Sequence, residues 1–149
     1  MTKKLINGQL VDMGPAEEAA FDAARSLSLP QLKKILRARI AARRVQAENG
    51  GFVHLATVYA STGQDLARLT IIAQRARTAK AAAAAFSVRM VAVDESESAM
   101  SADEVIALEV SAGDHFVSCG ANARTLRQAV NAAADEATAK AVDLDAGWP

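Results

Sequence analysis

The chain has 149 residues, 17 basic and 17 acidic side chains, and a hydrophobic fraction of 51% with only 4% aromatic residues. This length suits one domain, or a small domain with an extended arm, and the zero net charge argues neither for nor against binding to nucleic acid. Because the chain has one cysteine, it cannot form an intramolecular disulfide. Residues 1–8 lack the apolar run of a signal peptide, and no stretch of the sequence approaches the roughly 20 apolar residues of a membrane span. We therefore expect a protein that is made and kept in a cytoplasm, or assembled there into something larger.

The first 49 residues predict a hairpin followed by helices. Asn7-Gly8 stands between two short apolar runs and tolerates the positive φ of a tight hairpin loop. Pro15 and the acidic pair Glu17-Glu18 favour a helix start, because proline fits the first helical position and the acids face the positive end of the helix dipole. We expect this helix to continue through Phe21 and Ala24. A second helix begins at Leu29-Pro30, and Asn49-Gly50-Gly51 ends it.

The helix over residues 30–48 carries an apolar face and a dense set of cations. Its apolar residues are Leu32, Ile35, Leu36 and Ile40, and its cations are Lys33, Lys34, Arg37, Arg39, Arg43 and Arg44. The cations fit either a footprint for nucleic acid or phosphate, or a solvated helix face whose charge is balanced by the acidic turn around Asp94, Glu95 and Glu97. The neutral chain and the absence of aromatic residues among the cations favour the solvated face.

Two units, each with a β segment, a Ser/Thr cap and a helix, come next. β-prone runs at residues 52–55 and 57–59 predict a second hairpin, and either Ser61 with Gln64 or Thr62 with Asp65 can cap the helix that follows. The second unit begins with a strand over residues 86–93. A turn over residues 94–98 then leads toward the next helix.

The longest predicted helix runs from Ser101 to about residue 134. Ser101 and Glu104 form a capping box, in which each side chain binds a backbone N–H at the helix start. Gly113 and Gly120 each cost about 1 kcal/mol relative to alanine, which predicts a kink or a close helix contact. A spacing of three and four residues places one apolar stripe along the helix: Val105, Leu108, Ala112, His115, Cys119, Leu126 and Ala129.

These patterns together predict an α+β fold that is mostly helical, in which short β-hairpins are each followed by a capped helix behind an N-terminal hairpin and helical arm. We expect residues 1–49 to form that hairpin and arm, and residues 50–149 to form the α+β domain.

No residue pattern indicates chemistry. His115 and Cys119 stand one helical turn apart, but no second pair completes a metal site, and no base at a fixed offset would activate Cys119 as a nucleophile. The glycines fit neither phosphate-binding pattern, and the acidic turn lacks the spacing of a calcium loop. The sequence therefore predicts no catalytic residue, no cofactor and no metal. Trp148 either anchors the chain in a partner or closes the chain's own core.

Four motifs and one longer run stand out in the second part of the chain: Gly51-Phe52-Val53, Tyr59-Ala60-Ser61-Thr62, Phe86-Ser87-Val88-Arg89, residues 100–108, and Asp145-Ala146-Gly147-Trp148. With these motifs, the chain from about Ile40 to the C-terminus resembles a domain of unassigned function found in tailed-phage and prophage proteins, often encoded beside tail-fibre genes. At the second hairpin, the family usually has a glycine that this chain lacks. The Asn-Gly hairpin followed by Glu17-Glu18 resembles the leader of phage tail-fibre assembly proteins.

The resemblance implies a non-enzymatic tail or tail-fibre-associated protein, either a structural component of the virion or a chaperone for fibre assembly. It would work in the host cytoplasm during assembly, or in the virion tail, with tail-fibre or other tail or baseplate proteins as partners, and as a homo-oligomer. The alternative is a small prophage regulatory or nucleic-acid-binding protein that uses the basic helix over residues 30–48. The residues expected at a partner interface are Leu5, Ile6, Leu10, Leu32, Leu36, Ile40 and Trp148.

Overall fold

The computed structural model of the protein describes residues 3–6, 9–12, 14–17 and 27–149. A helical turn occupies residues 15–17, and the predicted continuation of that helix through Phe21 and Ala24 lies outside the described residues. The helices and strands follow one another as β1 (Lys3–Ile6), β2 (Gln9–Asp12), α1 (Leu29–Glu48), β3 (Phe52–His54), β4 (Thr57–Tyr59), α2 (Gly63–Ala81), β5 (Ser87–Val91), β6 (Glu97–Ser101), α3 (Ala102–Ala132) and α4 (Glu136–Lys140). The predicted fold class, a mostly helical α+β fold, is confirmed.

The strands pair as three antiparallel hairpins, β1 with β2, β3 with β4 and β5 with β6. Ile6 lies opposite Gln9 and His54 lies opposite Thr57, so both predicted hairpins form where expected. The third hairpin differs from the prediction, because residues 97 and 98, assigned to the turn, are the start of strand β6. Met100 is the only buried residue of β6, so the sequence of β6 lacks the alternation of apolar and polar residues that would have predicted a strand.

Helix α3 is the longest element, with 31 residues, and is roughly 46 Å long at 1.5 Å per residue. Its start is the predicted capping box: the Ser101 backbone N–H donates to Glu104 Oε2 at 2.7 Å, and the Glu104 N–H donates to Ser101 Oγ at 3.4 Å. The buried stripe of α3 consists of Val105, Leu108, Ala112, His115, Cys119, Ala123, Leu126 and Val130. This stripe agrees with the predicted one in six residues; Ala123 and Val130 were not predicted, and the predicted Ala129 is exposed.

The two halves of the α3 stripe serve two different cores. The first half packs with α2, where Leu69, Ala73 and Ala76 are buried, and with Phe52 of β3. The second half packs with α1 and with the C-terminal segment that contains Leu144. Because alanines hold many of the contact positions, the helices approach closely while burying little area per residue.

Helices α1 and α2 both run antiparallel to α3 and follow one another along its buried side. At the start of α1, the Lys33 ammonium donates to the Asn131 carbonyl at 2.8 Å, whereas Ala47 near its end contacts His115. On α2, Lys80 pairs with Asp103 and Arg77 pairs with Glu109. The predicted boundary after residue 49 therefore does not separate two packed units, because α1 contributes to the same core as the C-terminal residues.

Ser61 joins the end of α1 to β4. Its side chain is buried, donates to the Glu48 carbonyl at 2.6 Å and accepts from the Gly51 N–H at 2.8 Å. The cap of α2 is Thr62 with Asp65, the second of the two predicted pairs. Gly51 has φ of +97°, and a Cβ there would lie 3.1 Å from the Tyr59 carbonyl oxygen, so glycine is required at this connection.

None of the described helices has both the length and the apolar composition needed to cross a membrane.

A matched pair of substitutions tests how α1 packs on α3. Ile40 is 0% exposed against α3, whereas Ile35 on the same helix is 44% exposed. Ile40→Ala should lower the free energy of unfolding by about 2–5 kcal/mol, because it removes a buried side chain and leaves a cavity. Ile35→Ala should lower it by less than about 1 kcal/mol. Urea denaturation measures both values, and an equal loss from the two substitutions would contradict this packing.

Candidate functional site

His115 and Cys119 form a structural contact on the inner face of α3. His115 Nε2 lies 3.1 Å from the Ala47 carbonyl oxygen and 3.7 Å from Cys119 Sγ. A carbonyl oxygen only accepts, so Nε2 carries the proton and donates to Ala47, which leaves no lone pair on this nitrogen for a metal. Residues 27–149 and the shorter described segments contain no group of three or more His, Cys, Asp or Glu side chains that could hold a metal ion.

The Cys119 thiol is unsuited to nucleophilic chemistry. Its side chain is fully buried, and this burial raises its pKa above the ordinary value, with a further increase from the charge of Glu48. A thiol reacts as the thiolate, so a raised pKa and the lack of solvent access both suppress its reactivity.

His54 and Ser111 make a second contact that the sequence did not reveal, because 57 residues separate them. His54 Nδ1 lies 2.8 Å from Ser111 Oγ, and the Ser111 hydroxyl donates to the Ala107 carbonyl at 3.2 Å. Ser111 Oγ therefore lies between the imidazole of His54 and the Ala107 carbonyl, and the contact ties β3 to α3.

The cleft between β4 and β5 has a volume of about 190 Å³ and an apolar floor. Arg68 and Arg89 stand at its edge, and Arg89 is already paired with Glu97 at 3.1 Å. In the described part of the chain, no buried side-chain nitrogen or oxygen lacks a hydrogen-bond partner. The cleft therefore presents no buried polar group that a small ligand would satisfy.

Most cations of the basic helix have partners inside the chain. Lys33 and Arg37 donate to Asn131, while Arg43 pairs with Asp145 at 3.0 Å and Arg44 with Glu48 at 2.6 Å. These partners replace the acidic turn at residues 94–97, which was predicted to balance the helix. Lys34 and Arg39 remain without a partner among the described residues, which leaves a small positive surface for nucleic acid.

Three of the residues predicted at a partner interface pack inside the chain instead. Leu32, Leu36 and Ile40 are buried against the second half of α3, so the structure assigns them to the core. The error arose because α1 has apolar residues on two sides, and its outward side exposes Ile35 and Val45. Leu5, Ile6 and Leu10 lie on β1 and β2, and their side chains are outside the described part of the structure.

Trp148 is half-buried and contributes to the fold of its own chain. Its indole N–H donates to the Leu144 carbonyl at 2.9 Å, and the Arg43 guanidinium lies 5.9 Å from the ring centre. The ring packs against the same core as α1 and the second half of α3. Trp148 was predicted either to anchor the chain in a partner or to complete the chain's own core, and this geometry matches the second role.

Exposed apolar side chains are concentrated on the second and third hairpins and on the residues next to them. Val53 and Val58 lie opposite one another in the β3–β4 pair, and the Val93 N–H donates to the Val58 carbonyl at 2.9 Å. We call the following residues the hairpin patch: Val53, Leu55, Val58, Val91 and Val93. All five side chains are exposed, and Leu55 at the tip is 83% exposed. Several exposed apolar side chains on neighbouring hairpins are typical of sites that bind another protein.

The tip of the hairpin patch has an unfavourable backbone. Leu55 and Ala56 form the two-residue loop between β3 and β4, with φ of 47° and 65°. Positive φ at both loop residues is the pattern of a type I′ turn, which strongly prefers Asn-Gly. A leucine in this conformation costs of order 1–3 kcal/mol, and it also places a large apolar side chain in water. Both the positive φ and the exposure of Leu55 are unfavourable for the stability of the isolated chain.

The buried state of Cys119 gives a direct chemical test. At pH 8, an aromatic disulfide reagent should react with native Cys119 at least about 100-fold more slowly than with the chain unfolded in guanidinium chloride, because burial restricts access and raises the pKa. The release of the coloured thiol measures both rates. Similar rates in the two states would contradict the position of Cys119 inside the α3 interface.

The comparisons with known proteins identify a family but no function. The chain matches the family described as a domain of unknown function, DUF4376, over residues 31–146. None of the curated proteins matches the chain, and none of the solved structures does. The family match covers most of the chain, from the first turn of α1 to the segment before Trp148, and it includes all the elements that form the two cores. The chain therefore belongs to the DUF4376 family.

Proposed function

We propose that this chain is a non-enzymatic protein of a bacteriophage tail or tail fibre, either a structural component of the virion or a chaperone for tail-fibre assembly. Its partners are tail-fibre or other tail or baseplate proteins, which it meets in the host cytoplasm during assembly. The resemblance of residues 40–149 to a domain encoded beside tail-fibre genes motivates the phage assignment.

The observation that carries the proposal is the hairpin patch. A free chain gains nothing from an exposed leucine at a strained hairpin tip, whereas a partner that covers Leu55 buries its apolar surface and offsets the strain. The surrounding valines would enlarge the contact, and the acidic turn with Asp94 and Glu95 follows directly after Val93. The patch therefore fits a protein partner with an apolar pocket and a basic rim.

The polar side chains support a role in protein interaction rather than in chemistry. His54, His115 and Ser111 are each held by hydrogen bonds that use the atoms a reaction would need. Cys119 is buried, and the paired cations of α1 serve the fold. Within the described residues, the exposed apolar side chains of the hairpin patch are not part of either core and are available to a partner.

Replacing the tip with the sequence that a type I′ turn prefers separates stability from partner binding. The double variant Leu55→Asn with Ala56→Gly should raise the free energy of unfolding by about 1 kcal/mol, because Asn-Gly adopts positive φ readily. The same variant should bind the tail-fibre protein of the same phage at least about tenfold more weakly, because it removes the most exposed apolar side chain of the patch. Urea denaturation and surface plasmon resonance measure the two quantities.

The matched control is Ile71→Asn, which removes an exposed apolar side chain from α2, outside the hairpin patch. This control should leave binding to the fibre protein unchanged. If the tip variant binds the fibre as tightly as the native chain does, the hairpin patch is not the binding surface. If the native chain binds neither the fibre protein nor another tail protein, the tail assignment is contradicted.

A further inference from the structure

The outward face of α3 carries a second exposed apolar surface, on the opposite side of the helix from its buried stripe. Valine recurs after seven residues at Val110 and Val117, and glycine recurs after seven residues at Gly113 and Gly120. We call these four residues the α3 seam. Val110 is 54% exposed and Val117 is 68% exposed, so the chain leaves this seam uncovered. A seven-residue repeat keeps one line of side chains facing a neighbouring helix.

No contact with the described residues accounts for the cost of the two glycines. Each destabilises a helix interior by about 1 kcal/mol relative to alanine. A Cβ at Gly113 would meet no atom within 4 Å in the described structure, and a Cβ at Gly120 would lie 3.8 Å from Arg124 of the same helix. The sequence predicted a kink or a close helix contact, yet α3 is one uninterrupted helix and no described element approaches Gly113. A close approach by a helix of another molecule would use the missing side chains.

The charges beside the seam change sign along the helix. Asp103, Glu109 and Asp114 flank its first half, and Arg124 and Arg127 flank its second half. Arg124, Arg127 and Asp114 have no ion-pair partner among the described residues, whereas Asp103 and Glu109 each make one exposed pair with α2. Two copies of α3 in parallel would place like charges together. Two antiparallel copies would place the acidic half of one helix against the basic half of the other.

The spacing of the residues selects a register for the antiparallel arrangement. When residue 115 lies at the centre, Val110 faces Gly120 of the second copy and Val117 faces Gly113 of the second copy. The same register places Arg127 opposite Asp103. Each valine thus enters the space left by a glycine, and the unlike charges meet beyond the apolar centre.

We propose that α3 pairs antiparallel with α3 of a second copy of this chain, about a two-fold axis near residue 115, to form a dimer. Two-fold dimers are the commonest symmetric assemblies, and such an interface uses the same surface on both copies. The occupant is a second copy because one helix face supplies both the apolar layers and both signs of charge. The inference goes beyond the tail assignment and does not depend on it, since the hairpin patch lies outside the seam.

Sedimentation equilibrium on the full chain tests the surface. The native protein should sediment at twice the chain mass of 15.6 kDa. Val117→Glu should raise the dissociation constant at least about 30-fold, because it places a carboxylate in the apolar centre of the interface beside its symmetry copy. The matched control, Ile71→Glu on the outward face of α2, should leave the dissociation constant unchanged. Circular dichroism at 25 °C should give the same helical content for both variants, since both positions are exposed and each chain stays folded.

A monomeric native protein at concentrations of tens of micromolar would overturn the proposal, and so would an unchanged dimer in the Val117→Glu variant. Loss of fibre binding with an intact dimer would affect the tail assignment alone, so the two proposals fail separately.

Distances between spin labels test the orientation. In a Cys119→Ala background, labels at Ser118→Cys or at Ala129→Cys lie on the same exposed side of α3. In the proposed register, the two Ser118 positions are separated by about 9 Å along the helix axis and the two Ala129 positions by about 42 Å. Double electron–electron resonance spectroscopy should therefore give an inter-label distance at least about 20 Å longer for the label at position 129 than for the label at position 118. Equal distances at the two sites would indicate parallel helices and overturn the antiparallel register.

Discussion

The buried stripe of α3 is the constraint on which the rest of the structure depends. From Val105 to Val130, one line of small and branched side chains packs first against α2 and then against α1, so a single helix holds two cores together. Helix α2 covers the first half of α3 and α1 covers the second half, so both cores depend on α3. The second and third hairpins complete the first core with Phe52, Tyr59 and Met100, and the C-terminal segment completes the second core with Leu144.

This use of α3 explains why the surfaces available for partners are few and distinct. One face of each helix is committed to the two cores, and the polar side chains that could have formed a reaction centre are committed to hydrogen bonds across them. Among the described residues, exposed apolar side chains remain in the hairpin patch, in the α3 seam, on the outward side of α1 at Ile35 and Val45, and at Leu27 and Ile71. A rigid helical support that holds such surfaces in place is compatible with the proposed role in assembly.

The sequence predicted the elements well because their signals are local. The capping box at Ser101, the Thr62 cap and the period of the α3 stripe each depend on residues within a few positions of one another. The strand β6 was missed because its pairing is made by the backbone and only Met100 faces the core. The interface residues Leu32, Leu36 and Ile40 were misassigned because periodicity gives an apolar face without stating whether that face meets the same chain or another. Contacts such as His54 with Ser111 carry no local signal at all.

The central claim is that the chain works by binding other tail proteins, and quantitative mass analysis of purified virions tests it most directly. The peptide amounts are compared with those of a known tail protein, and the same comparison is made for fibre complexes isolated from lysates. The account predicts a fixed stoichiometry in at least one of the two: in the virion for a structural component, or on the fibre in the lysate for an assembly chaperone. Absence of the chain from both would contradict the claim.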